Sequence, residues 1–364
     1  MHIAFYAPLK SPDHPVPSGD RLMSRLIIRA LEMAGHKITL ASGMRAFLPG
    51  PEDATGHAAL TAAATTERAR ITLDWHRNGA PDLWFCYHPY YKSPDLLGPA
   101  LAAAFNLPLV TAEASYSPRR NIGVWQEMQA QVLQMVSTAA VNICMTARDM
   151  TGLQQAAPLG QFARLPPFID PAPYAAHPAP AAGHLITVAM MRPGDKQQSY
   201  ANLAASLALL PDLPWTLSII GDGPVRGAVE ALFAGVAPGR LRWHGQLAPN
   251  AIAALLANAA IYLWPGCGEA YGLAYLEAQA AGLPVIAFRT AGVPEVVAHG
   301  ISGLLTPDGE PKAYAQAITA LLQDPAQRAT LASGARAKTL RDHALETASV
   351  TLDHLVQTAL ARRA

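Results

Sequence analysis

Short apolar runs of strand length alternate with amphipathic runs of helix length along nearly the whole chain. The first apolar run is HIAFYA at 2–7. After the loop LKSPDHPVPSGD comes a helical pattern from about Arg21 to Ala34. Leu22, Leu26 and Ala30 fall on one line, and Met23, Ile27 and Leu31 on the next. That is the 3.6-residue period of a helix with a packed face. Gly35 accepts a positive φ and predicts the helix end. Further apolar runs fall at 38–41, 83–87, 109–112 and 140–145, with helical stretches at about 96–105 and 123–137. Runs that are apolar throughout, alternating with helices, predict a parallel sheet covered on both faces.

Residues 169–184 are rich in proline and have almost no periodicity, the pattern of a stiff linker. The alternation then restarts. Strands are predicted at LITVAM (185–190), WTLSII (215–220), LRWHG (241–245), AIYLW (260–264) and VIAF (285–288). Helices follow them near 197–210, 224–234, 249–257, 273–281 and 293–298. The prediction is two parallel α/β domains, 1–168 and 185–339, joined by 169–184. Ligands are then expected at the carboxyl ends of the strands, in a cleft between the two sheets. The last helical stretch, about 338–361, is long enough to serve more than the second domain.

Composition narrows the class. A chain of 364 residues suits two domains, and 51% hydrophobic residues with 15% charged residues exclude disorder. Lys and Arg total 27 against 26 Asp and Glu, a net charge of +1, so no basic body invites nucleic acid. Cys86, Cys144 and Cys267 are an odd count without metal-ligand spacing, which fits a reducing compartment. The opening MHIAFYAP lacks the cationic start and longer apolar core of a signal peptide. The apolar stretch 251–288 is broken by Pro265, Glu269, Glu277, Gly282 and Pro284, whereas a membrane span needs about 20 uninterrupted apolar residues. The expectation is a soluble, cytoplasmic protein.

The chemistry concentrates in GCGEAYGLAYLEAQAAGLPVIA at 266–287. Glu269 follows a predicted strand in a loop holding Gly266, Gly268 and Gly272, and Glu277 lies near the start of the next helix. Backbone N–H groups at Gly272, Leu273 and Ala274 would point at a ligand, and the helix dipole favours an anion there. A carboxylate has two acceptor oxygens, which suit a pair of vicinal hydroxyls. Glu277 has a plainer reading as a first-turn helix glutamate favoured by the dipole. In MMRPGDK at 190–196, Arg192 and Lys196 stand at a strand end, placed to clamp a diphosphate or to be solvated loop cations. GDGP at 221–224 permits a tight strand-to-helix turn. Its match to a dinucleotide fingerprint is loose, so a structural role is expected. In SGDR at 18–21, Gly19 opens a helix and lets the backbone approach a phosphate.

In this order and spacing the pieces resemble the retaining glycosyltransferases of family 4, over nearly the whole chain. The resemblance rests on E-AYGLAYL-E followed by AQAAGLPVIA, and on PSGD, AGHKITL, MMRPGDK, GDGP, TAGVPEVV and HGISGLL. It implies the GT-B fold, two Rossmann-like parallel-sheet domains facing a central cleft. It also implies that a C-terminal helix, about 340–364, packs back on the first domain. The implied activity is transfer of a hexose from a UDP- or GDP-sugar to an acceptor hydroxyl, with retention at the anomeric carbon and without metal. No cofactor is implied, because the nucleotide sugar is a substrate. Glu269 would contact the transferred sugar, Glu277 the ribose, and Arg192 and Lys196 the diphosphate. Tyr271, Gly272, Leu273 and Ala274 would line the donor site, and Gly19 would contact phosphate from the N-terminal side. The acceptor would be a glycan, a lipid or a small molecule.

Two departures matter. Arg192 and Lys196 are four apart where relatives often have five. Glu113, in LVTAEAS, stands where many members carry a histidine. Glu113 could act on the acceptor hydroxyl or the donor sugar, or pair structurally with Arg119 or Arg120. His88, in CYHPYYKSPDLLG, is a second candidate at a strand end, or a satisfied structural histidine. Tyr87, Tyr90, Tyr91 and Trp125 read as an acceptor-stacking group or as core. Arg21, Arg25 and Arg29 form a stripe that reads as a solvated helix face or as a weak peripheral contact with anionic membrane. The competing functions are a catalytically weak nucleotide-sugar-binding protein and another GT-B enzyme, an inverting transferase or a sugar-nucleotide epimerase. A nicotinamide-dependent oxidoreductase rests on the GDGP glycines alone.

Overall fold

The computed structural model describes residues 1–16, 18–175 and 178–362. Pro17 of the first loop, Ala176 and His177 of the proline-rich stretch, and Arg363 and Ala364 of the C-terminal segment lie outside the described residues. The chain divides into two compact units, Met1–Pro166 with Leu345–Ala364, and Pro167–Ala344.

The first unit opens with β1 (His2–Tyr6), α1 (Gly19–Met33), β2 (Lys37–Leu40) and α2 (Ala54–Asn78). It continues through β3 (Leu83–Tyr87), α3 (Gly98–Phe105), β4 (Leu109–Ala112), α4 (Gly123–Thr138), β5 (Val141–Cys144), α5 (Ala147–Ala156) and β6 (Phe162–Arg164). All neighbours in its sheet, β2-β1-β3-β4-β5-β6, run parallel. Ile3, Phe5, Leu83 and Phe85 are fully buried, and the Phe5 and Phe85 rings stack at 5.4 Å across β1 and β3. Fully apolar strands are thus covered on both faces, as the apolar runs predict. The sequence pattern missed α2. Its buried side chains are Ala64, Ile71 and Trp75, too sparse a stripe to stand out among its alanines and threonines.

The second unit runs through β7 (His184–Val188), α6 (Asp195–Leu207), β8 (Thr216–Ile220), α7 (Arg226–Leu232), β9 (Leu241–Gly245) and α8 (Pro249–Asn258). Then come β10 (Ile261–Leu263), α9 (Leu273–Ala280), β11 (Val285–Phe288), α10 (Val293–Val296), β12 (Gly303–Thr306), α11 (Pro311–Gln323) and α12 (Pro325–Asp342). Its parallel sheet has the order β12-β11-β10-β7-β8-β9. The proline-rich stretch is fastened to this unit. Ala179 N donates to Ala257 O at 2.8 Å, Ala181 N to Asn258 O at 3.0 Å, and Ile169 bridges Ala344.

The stretch 338–361, expected as one long helix, is two. The last helix, α13 (Leu345–Ala361), is separated from α12 by His343 and Ala344. Tertiary hydrogen bonds take over there. His343 Nδ1 lies 2.6 Å from Pro167 O, and Ile169 N donates to His343 O at 2.9 Å. The break coincides with the boundary between the units, and α13 packs on α1 of the first. Ser349 Oγ donates to Ala30 O at 2.7 Å, and the His36 ring meets Asp353 at 3.0 Å. Among the described residues no helix is long and apolar enough to cross a membrane.

Each sheet has one place where consecutive crossovers part to opposite sides. It lies between β1 and β3 in the first unit and between β7 and β10 in the second. Loops at such a point open a crevice at the strand ends.

Candidate functional site

In the second unit, the loop after β7 carries Arg192 and leads through Gly194 into α6, whose first turn holds Lys196. Gly194 has φ +82°, so the chain turns into the helix in a left-handed conformation that suits glycine. Arg192 is exposed, and its carbonyl accepts Gln197 N at 3.1 Å. The loop after β10 comes alongside. Cys267 N donates to Ser199 Oγ at 2.9 Å, Asn202 Nδ2 donates to Cys267 Sγ at 3.2 Å, and a Cβ on Gly268 would collide with the Asp195 carboxylate. This docking brings Glu269 to Lys196: Nζ and Oε2 are 2.5 Å apart. Trp264 Nε1 approaches the same oxygen at 3.5 Å, and its ring lies 5.4 Å from the ammonium. Tyr200 packs edge-on against Trp264 at 4.9 Å and fixes that wall.

The glycines of the motif have a mechanical reason. Gly266 (φ +79°) and Gly272 (φ +80°) both abut the buried Tyr275, whose hydroxyl donates to Trp264 O at 3.1 Å. A Cβ at either place would drive into that side chain. Gly272 also starts α9, and no side chain caps the helix there. Tyr271 and Leu273 are buried and Ala274 is half-buried. Glu277 sits in the second turn of α9 with a partly exposed edge. Burial pushes its carboxyl above the usual range, and the polar influence of the Tyr174 phenol opposes that shift. Tyr174 lies in a single 3-10 turn, Ala172–Tyr174, in the proline-rich stretch. Nothing in the local sequence pattern pointed to it.

GDGP proves to be a turn. A Cβ on Gly221 would collide with Ala189 O and one on Gly223 with Met191 O, while Met191 N donates to Asp222 O at 2.9 Å. These glycines let the β8 loop lie against the β7 loop and so shape the Arg192 segment.

In the first unit, Ser18 caps α1, its Oγ accepting Arg21 N at 3.2 Å. The helix begins at Gly19, with Asp20 in its first turn. His88 follows β3 and Glu113 follows β4, with φ +58° and +54°. Non-glycine residues in that region carry backbone strain of about 1–3 kcal/mol each, and such strain clusters at functional sites. His88 N is held by Ala112 O at 2.8 Å and Glu113 N by Ile143 O at 2.9 Å. The His88 Nδ1 meets Asp20 Oδ1 at 3.1 Å, and the Tyr87 hydroxyl donates to Glu113 Oε2 at 2.6 Å. Burial pushes the His88 imidazole down, but the Asp20 hydrogen bond and the charges of Glu113, Asp20 and Asp149 outweigh it, so its pKa is raised. Burial likewise pushes Asp20 up, and its bond with His88 wins, holding it below the usual range. Asp20 and Asp149 were missed as site residues. An acid in the first turn of α1 was the available signal for Asp20.

Within their own units, then, Gly19, His88 and Glu113 come to one sheet end, and Arg192, Lys196, Glu269, Tyr271, Gly272, Leu273, Ala274 and Glu277 to another. Of the aromatic group, Tyr87 and Trp125 are buried and Trp125 Nε1 donates to Leu48 O at 3.1 Å. The arginine stripe is partly engaged: Arg21 donates to His14 O and Pro15 O at 2.8 and 3.1 Å, and Arg25 to Pro12 O at 2.7 Å. These two arginines fasten the loop ahead of α1.

Two six-stranded parallel sheets flanked by helices, with the last helix belonging to the first unit, make this a GT-B fold. Residues 182–324, which contain both glutamates and both cations of the site, match the family model for glycosyl transferases group 1. The chain is similar in structure to sucrose-phosphate synthase from Thermosynechococcus elongatus, at TM-score 0.77 and 19% identity over 99% of each chain. It is similar also to Anabaena HepE in complex with UDP, at TM-score 0.74 and 18% identity over 98% of this chain and 100% of that one. In sequence it is 39% identical to a D-inositol 3-phosphate glycosyltransferase of Jonesia denitrificans over 144 residues, 37% of this chain and 34% of the relative. It is 31% identical to an exopolysaccharide phosphotransferase of Streptomyces coelicolor over 236 residues, 60% of this chain and 24% of the relative. The matched stretches thus span about a quarter to a third of these curated relatives.

Proposed function

We propose that this protein is a retaining glycosyltransferase of the family 4 type, moving a hexose from a UDP- or GDP-sugar to a hydroxyl of a glycan, lipid or small molecule, without a metal or other cofactor. The observation that carries the reading is the Lys196–Glu269 pair at the β7/β10 crevice, with Glu277 in the second turn of the adjoining α9. A ligand there would meet an ammonium, the exposed Arg192 guanidinium and an uncapped helix start, all favourable to a diphosphate. Glu269 would accept hydroxyls of the sugar and Glu277 those of the ribose. Tyr271, Gly272, Leu273 and Ala274 would form the wall between them. The UDP bound to the structurally similar HepE supports a uridine donor.

In the proposed step the bond between the anomeric carbon and the diphosphate oxygen breaks. The acceptor oxygen bonds to that carbon on the same face, and its proton passes to the departing diphosphate. Lys196 and Arg192 stabilise the charge that develops on the leaving group. Gly19 keeps a contact with phosphate at the start of α1, while Glu113 or His88 handles the acceptor hydroxyl. The working site is assigned to the cytoplasm, at the inner membrane face if the acceptor is a lipid. The test is transfer from UDP- and GDP-hexoses in the presence of a chelator, with the anomeric configuration of the product read by NMR. Retention supports the reading. Inversion, epimerised donor, or binding without turnover would replace it with one of the competing functions.

A further inference from the structure

His88 and Glu113 follow the carboxyl ends of β3 and β4, but a cavity of about 720 Å³ opens at the other end of the same sheet. Leu109, the first residue of β4, and Ala140, just before β5, line it. Leu109 and Glu113 are four residues apart on extended chain, about 13 Å, so the cavity is separate from the His88 cluster. Its walls come from α2, α3, α4 and the end of α13, all within the first unit. Its volume falls in the range of small-molecule sites, about 300–1,000 Å³.

Three features of the lining define an occupant. The floor is apolar, with Ala64, Ala102, Leu109 and Met135 buried. Two guanidiniums reach the wall, Arg68 from α2 and Arg362 just past α13. Arg68 donates to Leu96 O at 3.1 Å and Thr65 Oγ1 at 3.0 Å, and Arg362 to Ala140 O at 2.8 Å and Gln161 Oε1 at 3.5 Å. Their partners are neutral, so no carboxylate offsets either charge among the described residues. Asp95 also lies on the wall, but its carboxylate is taken up by Trp84 Nε1, Leu97 N and Gly98 N at 2.8, 2.9 and 2.7 Å. The third feature is Gln131 of α4, whose Oε1 is buried with no hydrogen-bond partner among the described residues. A buried acceptor of this kind is destabilising until a donor reaches it. We infer that the cavity binds an amphipathic carboxylate with a hydroxyl near its head. The carboxylate answers the guanidiniums, the hydroxyl donates to Gln131 Oε1, and the aliphatic body covers the apolar floor. A purely apolar ligand would leave the charges and Gln131 unanswered, and a purely polar one would leave the floor wet. A ligand in contact with Ala359 and Arg362 also ties the end of α13 to α2 and α4, so binding stabilises the first unit.

The test is calorimetry with 3-hydroxydecanoate, decanoate and the neutral 1,3-decanediol, each below its micelle concentration, on the full chain. The proteins are wild type, Arg68→Gln, Gln131→Leu and Ala103→Trp, the last adding bulk at an exposed position on the α3 wall. Wild type is expected to bind one 3-hydroxydecanoate per chain and to melt at a higher temperature with it. The diol should bind at least about tenfold more weakly, and Arg68→Gln should weaken the acid about tenfold, as for loss of a hydrogen bond to a charged group. Gln131→Leu should erase a preference of about three- to tenfold for the hydroxy acid over decanoate while leaving decanoate within about twofold. Ala103→Trp should bind neither acid. Melting temperatures of the unliganded variants near that of wild type show that these losses come from the cavity. Absence of saturable binding, several sites per chain, or equal affinity for diol and acid would overturn the inference. So would unchanged binding by Ala103→Trp, or a hydroxyl preference that survives Gln131→Leu. No nucleotide sugar enters the experiment, so either result leaves the donor-site reading where it stands.

Discussion

Where β7 and β10 part, a lysine meets a glutamate; where β1 and β3 part, a histidine meets an aspartate. The topological positions are equivalent and the chemistry is opposite. The second unit surrounds its acid with cations: Lys196 on Glu269, Arg192 exposed in the same loop, and the start of α9 beside them. The first unit surrounds its base with acids: Asp20 bonds His88, and Glu113 and Asp149 add to the field on it. A doubly charged diphosphate is attracted by the first arrangement and repelled by the second. A neutral hydroxyl that must lose a proton has the opposite needs. The comparison supports assigning the donor to the second unit and the acceptor to the first.

The largest effect that tests this division belongs to Lys196. Lys196→Ala is expected to lower transfer roughly a hundred- to a thousandfold, as for loss of a donor aimed at developing charge. Steady-state transfer assays would show it, and the same change should weaken donor binding. Glu113→Gln should lower turnover on the order of a hundredfold, as for a reacting hydroxyl displaced from its working position, with donor affinity unchanged by calorimetry. If Glu113→Gln weakened the donor as much as Lys196→Ala does, the division between the units would be wrong.

Next come the two glycines that open the site helices. Gly272→Ala should cost about 1–3 kcal/mol, because φ +80° is strained for alanine and the new Cβ meets Tyr275 and Glu269. Gly19→Ala, with nothing within 4 Å of a Cβ, should leave stability within about 0.5 kcal/mol. Thermal melting of both variants compares them directly.

A further effect lies in titration, and its sign differs between the units. His88 is raised above 6.5 by its acids, whereas burial pushes His343 down to about 4. The His88 contribution is present in full below its unfolded value near 6.5 and is lost as pH rises through its raised folded value. The His343 contribution is full above about 6.5 and is lost as pH falls toward 4, up to roughly 3 kcal/mol if the whole shift is expressed. Imidazole resonances followed by NMR should therefore titrate on opposite sides of 6.5. Asp20→Asn should move the His88 transition down and leave that of His343 in place.

The sequence made the second unit's site legible because it is nearly contiguous. A fully apolar strand, a glycine loop and an acid-bearing helix follow within residues 260–281, while the steric cause of each loop glycine shows only in the fold. The first unit's cluster is scattered: His88 lies 68 residues from Asp20, and Glu113 lies 26 from Tyr87. Only the sheet brings them together. The central, fully apolar strands were readable for the same reason in both units, whereas β6 and β12 at the sheet edges were not found. The division between α12 and α13 was not, because it is set by Pro167 and Ile169, far away in sequence. Tyr174 was hidden in the same way. It lies in a stretch whose prolines read as a linker, and its backbone is held by Arg336 of α12.

If Glu277 and its neighbours hold a nucleotide sugar, calorimetry of UDP-, GDP- and ADP-sugars, with a chelator present, on wild type and Glu277→Ala will show it. One nucleotide series is expected to bind, and the substitution to weaken it by about 1–3 kcal/mol, the loss of a hydrogen bond to a charged group. Absence of binding by every series, or equal affinity in the two proteins, would contradict it.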